Sequence, residues 1–361
     1  MTEVLAKKRL LSLDVLRGIT VAGMIVVNNA GGPLSYDSLR HSAWNGMTPC
    51  DLVFPFFLFI MGISIYIALR KFRFEPSGPV VRKILKRTLL ILLIGIAIHW
   101  FEYICKGDFF PFAHLRLTGV LQRIALCYCA ASFQALYMPH KWLGWLAGVI
   151  LAGYGIFLLS ANGYVPDETN RLSVIDRAVL GADHLYLKSP IDPEGLFSTL
   201  PSIAHTLIGF CCGRLIMEAD TLDKKIVGLF VTGFLLMSIG FLLTEALPLN
   251  KRIWSPTFAL TTCGLAAMLQ ATLMYFIDFK GKRNWCRCFE VFGVNPLFLY
   301  VLSEVLAIVI GATGIKPPIY EAIHSLVANP YLASAVYSLL FVGLMAAAGY
   351  PLYKKKIYIK L

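Results

Sequence analysis

Apolar runs recur along the chain at lengths suited to a bilayer, near 13–30, 52–69, 85–101, 117–137, 142–161, 198–217, 226–243, 256–277, 290–312 and 331–350. A helix needs roughly 20 largely apolar residues to cross a hydrocarbon layer about 30 Å thick, so each run predicts a crossing. The polar intervals between them are short, except for 31–51 and 162–197. The pattern predicts an all-α, polytopic integral membrane protein of about ten transmembrane helices. The whole length, 1–361, then forms a single transmembrane domain with no room for a separate soluble one.

Composition strengthens this reading. The chain is 57% hydrophobic and 15% charged, with mean hydropathy +0.69, far from a soluble domain. A net charge of +12 can signal nucleic acid, but the Lys and Arg lie in short clusters between apolar runs, where they report topology. With the amino terminus inside, 22 basic residues fall in inner loops, among them Lys7, Lys8, Arg9, Arg70, Lys71, Arg82, Lys83, Lys86, Arg87, Lys280, Lys354 and Lys360, against 9 outside, including Lys188. The positive-inside rule therefore places both termini in the cytoplasm. The first run contains Asp14 and Arg17 and lacks a small-residue cleavage site, so it is expected to remain as a helix and not be removed as a signal. Nine cysteines without CxxC spacing point to neither a zinc site nor a disulfide framework.

Ionisable groups within apolar helices are costly and mark sites by default. Here they are Asp14, Arg17, Glu102, Arg123, Glu245 and Glu304. Asp14 and Arg17, three apart, share a helix face and suit a mutual ion pair. Arg123 beside Gln122 suggests a polar cavity for a phosphate or carbonyl. The densest polar cluster is HSAWNGMTPCD at 41–51, which faces outward in this topology together with Asn28 and Asn29 at the end of the first run. A histidine oriented by a carboxylate is the usual equipment of a general base, and His41 with Asp51 provides the pair. The plainer alternative makes His41 a loop residue, Asp51 a helix cap and Trp44 an interface anchor. His99, His114, His184, His205 and His324 show no metal-ligand spacing; His184 and His205 are candidates to line the same vestibule. The second long outer loop is acidic, with Asp167, Glu168, Asp176, Asp183, Asp192 and Glu194, and suits a polar or cationic solute arriving from outside.

RLLSLDVLRG at 9–18, VVNN at 26–29 and HSAWNGMTPCDLVFP at 41–55 resemble the heparan-α-glucosaminide N-acetyltransferase family and its short bacterial relatives of NagX type. The likeness continues through GVLQRIA at 119–125, DPEGLFSTLP at 192–201, NKRIWSP at 250–256 and FGVNPL at 292–297. No counterpart of the animal enzyme's amino-terminal lumenal domain is seen, and the short form implies a bacterial inner membrane. The resemblance implies an enzyme that takes acetyl-CoA from the cytoplasm and acetylates a glucosamine amine on the far side, with His41 catalytic and Asn28 and Asp51 as orienting or oxyanion-stabilising partners.

Acetyl transfer needs a base, because an amino-sugar amine is largely protonated near neutral pH; His41 can also carry the acetyl group itself. Asn28 or Asn45 can donate to the oxyanion. Arg17, Gln122, Arg123 and Asn295 are candidates to line acetyl-CoA, and Trp44, Asn45, Asp192, Glu194 and Lys251 to hold the sugar. No metal is required. The expected partners are the amino sugar, membrane lipids and, as one oligomeric option, a second copy in a homodimer; nucleic acid is not among them. Two rivals stay open: O-acetylation of a cell-envelope polysaccharide, and an amino-sugar transporter using the intramembrane carboxylates as proton relays.

Overall fold

The computed structural model describes residues 10–186 and 189–359; Lys7, Lys8, Arg9, Lys188 and Lys360 lie outside them. The described residues are helical with connecting turns. In chain order come α1 (Leu11–Asn28), α2 (Val53–Arg70), α3 (Gly78–Cys105), α4 (Val120–Tyr137) and α5 (His140–Ser160). A short α6 (Arg171–Leu180) lies in the second long loop. Then follow α7 (Thr199–Glu218), α8 (Leu222–Leu242), α9 (Pro256–Leu273), α10 (Cys286–Val294), α11 (Pro296–Ala312), α12 (Lys316–Val327) and α13 (Pro330–Lys354).

Every predicted run is helical, with two corrections of detail. Eight helices among the described residues are long and apolar enough to cross a membrane, or nine if a bent pair counts as one span, in keeping with the expected number of about ten. The tenth run is α4, which is not among the eight because Gln122, Arg123 and Gln134 dilute it. The run at 290–312 is broken into α10 and α11, bent by 83°. Pro296 explains the break: its ring excludes the α conformation from the preceding residue, and Asn295 sits at φ −128°, ψ 58°. Finally, α3 starts at Gly78, so Arg82, Lys83, Lys86 and Arg87 ride on its first turns instead of a loop. Their long apolar stems cost a helix little and carry the charge to the boundary.

The helix α7 is the centre of the bundle, packed by α2, α4, α5 and α9. It approaches α2 so closely that a Cβ on Gly209 would stand 2.3 Å from the Phe59 carbonyl oxygen. On the other flank a Cβ on Gly293 of α10 would stand 2.0 Å from the Asp14 carbonyl oxygen of α1. Small residues give membrane helices the backbone contact that the hydrophobic effect cannot drive within lipid. The helices α3 and α8 are peripheral and turn Leu85, Leu89 and Leu93, and Phe230, Val231 and Phe234, outward as an apolar girdle. Arg17 bonds Asp14 at 3.1 Å, as their spacing suggests, and reaches Ser64 Oγ at 3.0 Å and the Gly293 carbonyl at 3.3 Å. It ties α1 to α2 and α10.

Candidate active site

The loop between α1 and α2 folds back on itself because Asp51 collects its donors. A capping box joins Thr48 and Asp51 at the head of a short 3-10 turn, Pro49–Leu52, leading into α2. Asp51 Oδ2 accepts from the backbone N–H groups of Ser42 and Thr48, both at 3.1 Å, and from the Thr48 hydroxyl. Oδ1 stands 2.7 Å from His41 Nδ1. The cap and the histidine partner, which the residues alone present as alternatives, are the same carboxylate. Asp51 has no exposed surface, whereas the His41 side chain is 49% exposed, so the imidazole reaches solvent from a buried anchor.

A carboxylate on Nδ1 fixes that nitrogen as the N–H and leaves Nε2 with its lone pair. Lys251, from the loop before α9, brings Nζ to 3.3 Å from Asp51 Oδ1 and into reach of both ring nitrogens of His41, 2.9 Å from Nδ1 and 3.3 Å from Nε2. The Cys50 thiol lies 3.1 Å from Nδ1. An ammonium is thus already seated between imidazole and carboxylate. Lys251 is held there by a splint between two of the sequence motifs: Asn250, fully buried, donates to Asn45 Oδ1 at 3.1 Å, and Gly46 N–H donates to the Leu249 carbonyl at 2.7 Å. Asn45, expected on the sugar, is therefore also part of the splint.

A second cluster is organised by Arg116, a residue that the sequence marks only as an outer charge. Its guanidinium binds Asp192 at 2.9 Å and Glu194 at 2.8 Å and stacks over the Tyr186 ring at 4.7 Å. Asp192 also accepts from Thr118 and from the backbone of Tyr186 and Glu194. Burial works against the charge of Arg116, but Glu194 and Asp192 outweigh it and hold its pKa above the ordinary value. Asp176 of α6 lies beneath this loop; burial pushes its carboxyl up to about 6, opposed by the Phe197 N–H and Arg123 and assisted by Asp192.

The remaining expected residues divide. Trp44 donates its indole N–H to the Tyr164 carbonyl at 2.9 Å and packs on the apolar cluster of Tyr154, Leu158, Leu172, Ile191 and Ile253, so it anchors the loop. Asn28, expected as an orienting or oxyanion-stabilising partner, donates to Glu304 at 3.0 Å, and among the described residues no hydrogen bond joins it to His41 or Asp51. Arg123 is buried under the outer loop, bonded to the Gly195 carbonyl at 3.0 Å and to Ser198, with Trp254 5.2 Å from its guanidinium. Gln122, beside it, is buried against Gly95, Gly119 and His99. Both lie at the His41 end of the bundle. Arg17 and Asn295 lie towards the other end, so the four expected cofactor residues do not converge. His205 is buried edge-on to Trp254, and His184 bonds the Leu115 carbonyl at 2.8 Å; neither is seen in contact with His41.

Arg17 does line a cavity, of ≈ 270 Å³, between α1, α2, α3, α4 and the α10–α11 break, with Arg87, Tyr128 and Ser64. Arg87 lies over the Tyr128 ring at 4.7 Å. Asn295 closes one wall indirectly: both ends of its amide hold the carboxy-terminal segment, Nδ2 to the Ile357 carbonyl and Oδ1 from the Ile359 N–H, each at 2.8 Å. On α2 the cavity begins at Phe57, fewer than two turns past Asp51, or about 9 Å along the axis.

Residues 9–240 match the sequence profile of a family described as heparan-alpha-glucosaminide N-acetyltransferase, catalytic. The chain is 30% identical to the heparan-alpha-glucosaminide N-acetyltransferase of Homo sapiens over 82% of its own length and 53% of the relative's. Against the protein of the same name from Mus musculus it is 27% identical over 98% of its length and 60% of the relative's. The chain thus spans between half and two thirds of the curated relatives it matches. A profile that covers more than half of the chain, including the His41–Asp51 loop, places it plainly: this polytopic helical protein belongs to the heparan-alpha-glucosaminide N-acetyltransferase family.

Proposed function

We propose that the protein is a transmembrane N-acetyltransferase that moves the acetyl group of cytoplasmic acetyl-CoA to the amine of glucosamine, or of a terminal glucosamine residue, on the far side of a bacterial inner membrane. The observation that carries this reading is the buried Asp51 holding Nδ1 of an outward-facing His41, with an ammonium, that of Lys251, between the two. The site accommodates a cationic nitrogen and offers a lone pair to deprotonate it.

In the reaction the acceptor aminium gives one proton to His41 Nε2. The freed amine then attacks the thioester carbonyl carbon, the C–S bond breaks, and the leaving thiolate of CoA takes the second proton that the acylated nitrogen sheds, while the first passes from the imidazolium to solvent. Asp51 stabilises the imidazolium that forms. Acetyl transfer through Nε2 itself uses the same lone pair and the same Asp51 contact. On the donor side, the cavity lined by Arg17 and Arg87 is the proposed path of the acetyl-CoA arm, since guanidinium groups bind phosphate and the narrow lining suits a flexible chain. On the acceptor side, Glu194 and Lys251 are proposed sugar contacts.

The test is thiol release from acetyl-CoA by the purified protein, with and without glucosamine, for wild type and His41→Ala. Glucosamine-dependent release that falls by a factor of about 10² to 10⁴ in the variant supports the reading. Release that ignores glucosamine but follows an added polysaccharide would transfer the proposal to O-acetylation. Glucosamine uptake into vesicles without thiol release would replace it with transport.

A further inference from the structure

A cavity of ≈ 960 Å³ lies outside the proposed acetyl-transfer machinery, between α1, α10, α13 and the segment after α13. It shares no residue with the His41 cluster or with the Arg17 cavity except Val294 at the edge of the latter. Its floor is apolar: Ala22 of α1, Phe292 of α10, and Val342 and Ala346 of α13. Its mouth is basic, with Arg287, Lys354 and Lys356. From Lys354 back to Val342 the groove follows α13 for about 18 Å, which is more than half of the hydrocarbon thickness.

Two carboxylates also line the groove, and both are occupied: Asp14 by Arg17 at 3.1 Å, and Glu290 by the Tyr353 hydroxyl at 3.0 Å. Arg287, Lys354 and Lys356 form no ion pair with a carboxylate among the described residues, and all three are exposed. Tyr350 and Tyr353 stand at the same level, where aromatic residues favour the boundary between hydrocarbon and head groups. On its outer side α13 is lipid-like, with Leu339, Leu340 and Leu344 half or more exposed. The three basic side chains of the mouth outnumber Glu290, the one lining carboxylate without a basic partner in an ion pair among the described residues. Such a mouth, an apolar trough running into the bilayer from it, and a position on the basic end of the bundle are together the requirements of an amphiphile with an anionic head. A soluble nucleotide would match the mouth but leave the trough unfilled.

We propose that this groove binds an acidic membrane phospholipid, its phosphate among Arg287, Lys354 and Lys356 and an acyl chain along Ala346 and Val342 against Ala22. The site buttresses the contact of α1 with α10 from outside, and it is independent of whether the protein transfers acetyl groups.

The experiment is native mass spectrometry of the purified full chain with phosphatidylglycerol or phosphatidylcholine of identical acyl chains, in wild type, Arg287→Gln/Lys354→Gln/Lys356→Gln and Ala346→Leu. Each variant is first checked for monodisperse elution and wild-type helicity. The expected result is half-saturation at a phosphatidylglycerol concentration at least about tenfold lower than for phosphatidylcholine, within the roughly hundredfold that three juxtamembrane basic residues provide together. The triple variant abolishes the preference, and Ala346→Leu weakens retention of both lipids. Equal binding of the two lipids by wild type, or a preference that survives the triple substitution, overturns the proposal. So does displacement of phosphatidylglycerol by CoA, which would make the mouth a nucleotide site. A change from dimer to monomer in Ala346→Leu with lipid retention unchanged would overturn it too, in favour of an interface between copies.

Discussion

Asp51 holds His41 by Nδ1 at 2.7 Å from a position with no solvent exposure, and commits its second oxygen to the backbone of Ser42 and Thr48. One side chain therefore shapes the loop and sets the tautomer of the imidazole. Asp51→Asn is the informative substitution, since the amide can keep an oxygen towards the two N–H groups while removing the negative charge from Nδ1. Acetyl transfer should fall by about 10² to 10⁴ while the melting temperature stays within a few degrees of wild type. Steady-state rates with paired thermal unfolding in detergent check this. A fully active Asp51→Asn protein would remove the histidine from the chemistry.

Arg116 carries the second long loop. Its removal leaves Asp192, which has a fully buried side chain, without a counter-ion. Uncompensated buried charges are expensive, so Arg116→Ala should destabilise the protein by of order 3 kcal/mol. Arg116→Lys, which keeps the charge but loses the fork that reaches both carboxylates, should recover part of that. Urea or thermal unfolding of the two variants beside wild type gives the comparison.

Asp176 makes stability depend on pH. Its carboxyl in the folded chain is raised from an ordinary 3.8 to about 6 by burial. A raised acid favours the fold in its protonated form, so its contribution is complete below the unfolded value near 3.8 and is lost as pH rises through about 6. Asp176→Asn mimics the protonated form. The variant should gain up to roughly 3 kcal/mol over wild type at about pH 7.5, and the gap should close as pH falls through the window. Unfolding of both proteins at several pH values measures the gap directly; a gap that does not change with pH would show that Asp176 is not ionising there.

The contact of α2 with α7 has no room for a side chain at Gly209, whose Cβ would meet backbone, not a movable side chain. Gly209→Val should force the two helices apart and lower the melting temperature by several degrees, since overpacking a well-filled contact costs about 1–3 kcal/mol. At Gly148, on the exposed side of α5, no atom lies within 4 Å of the position that a methyl group would take. Gly148→Ala is therefore the matched control and should be neutral or slightly stabilising. Thermal unfolding of the two variants in parallel decides it.

Apolar periodicity alone carried the positions of the crossings, because in lipid every backbone group must be satisfied within its own segment and a helix of bilayer length does so. The same patterning marked the two long loops, and the polar cluster in the first of them presented His41 and Asp51 as a pair, while Lys251 entered as a sugar contact only beside the family resemblance. The patterning missed the break at 295–296, although the Asn-Pro step was there to be read; it missed Arg116, whose signal is only that of a polar residue at the end of a run, and the role of Asn250, although that residue opens the NKRIWSP motif. Convergence was a different matter. Lys251 lies 210 positions from His41 along the chain and within hydrogen-bond reach of it in space. Gln122, Arg123, Arg17 and Asn295 are all polar groups set among apolar runs, yet they are segregated to opposite ends. Composition and spacing act over a few helical turns, so they determine what each segment is. Which side chains meet depends on how the separate crossings pack, on contacts such as Gly209 with Phe59 and Gly293 with Asp14, and those exist only in the assembled bundle.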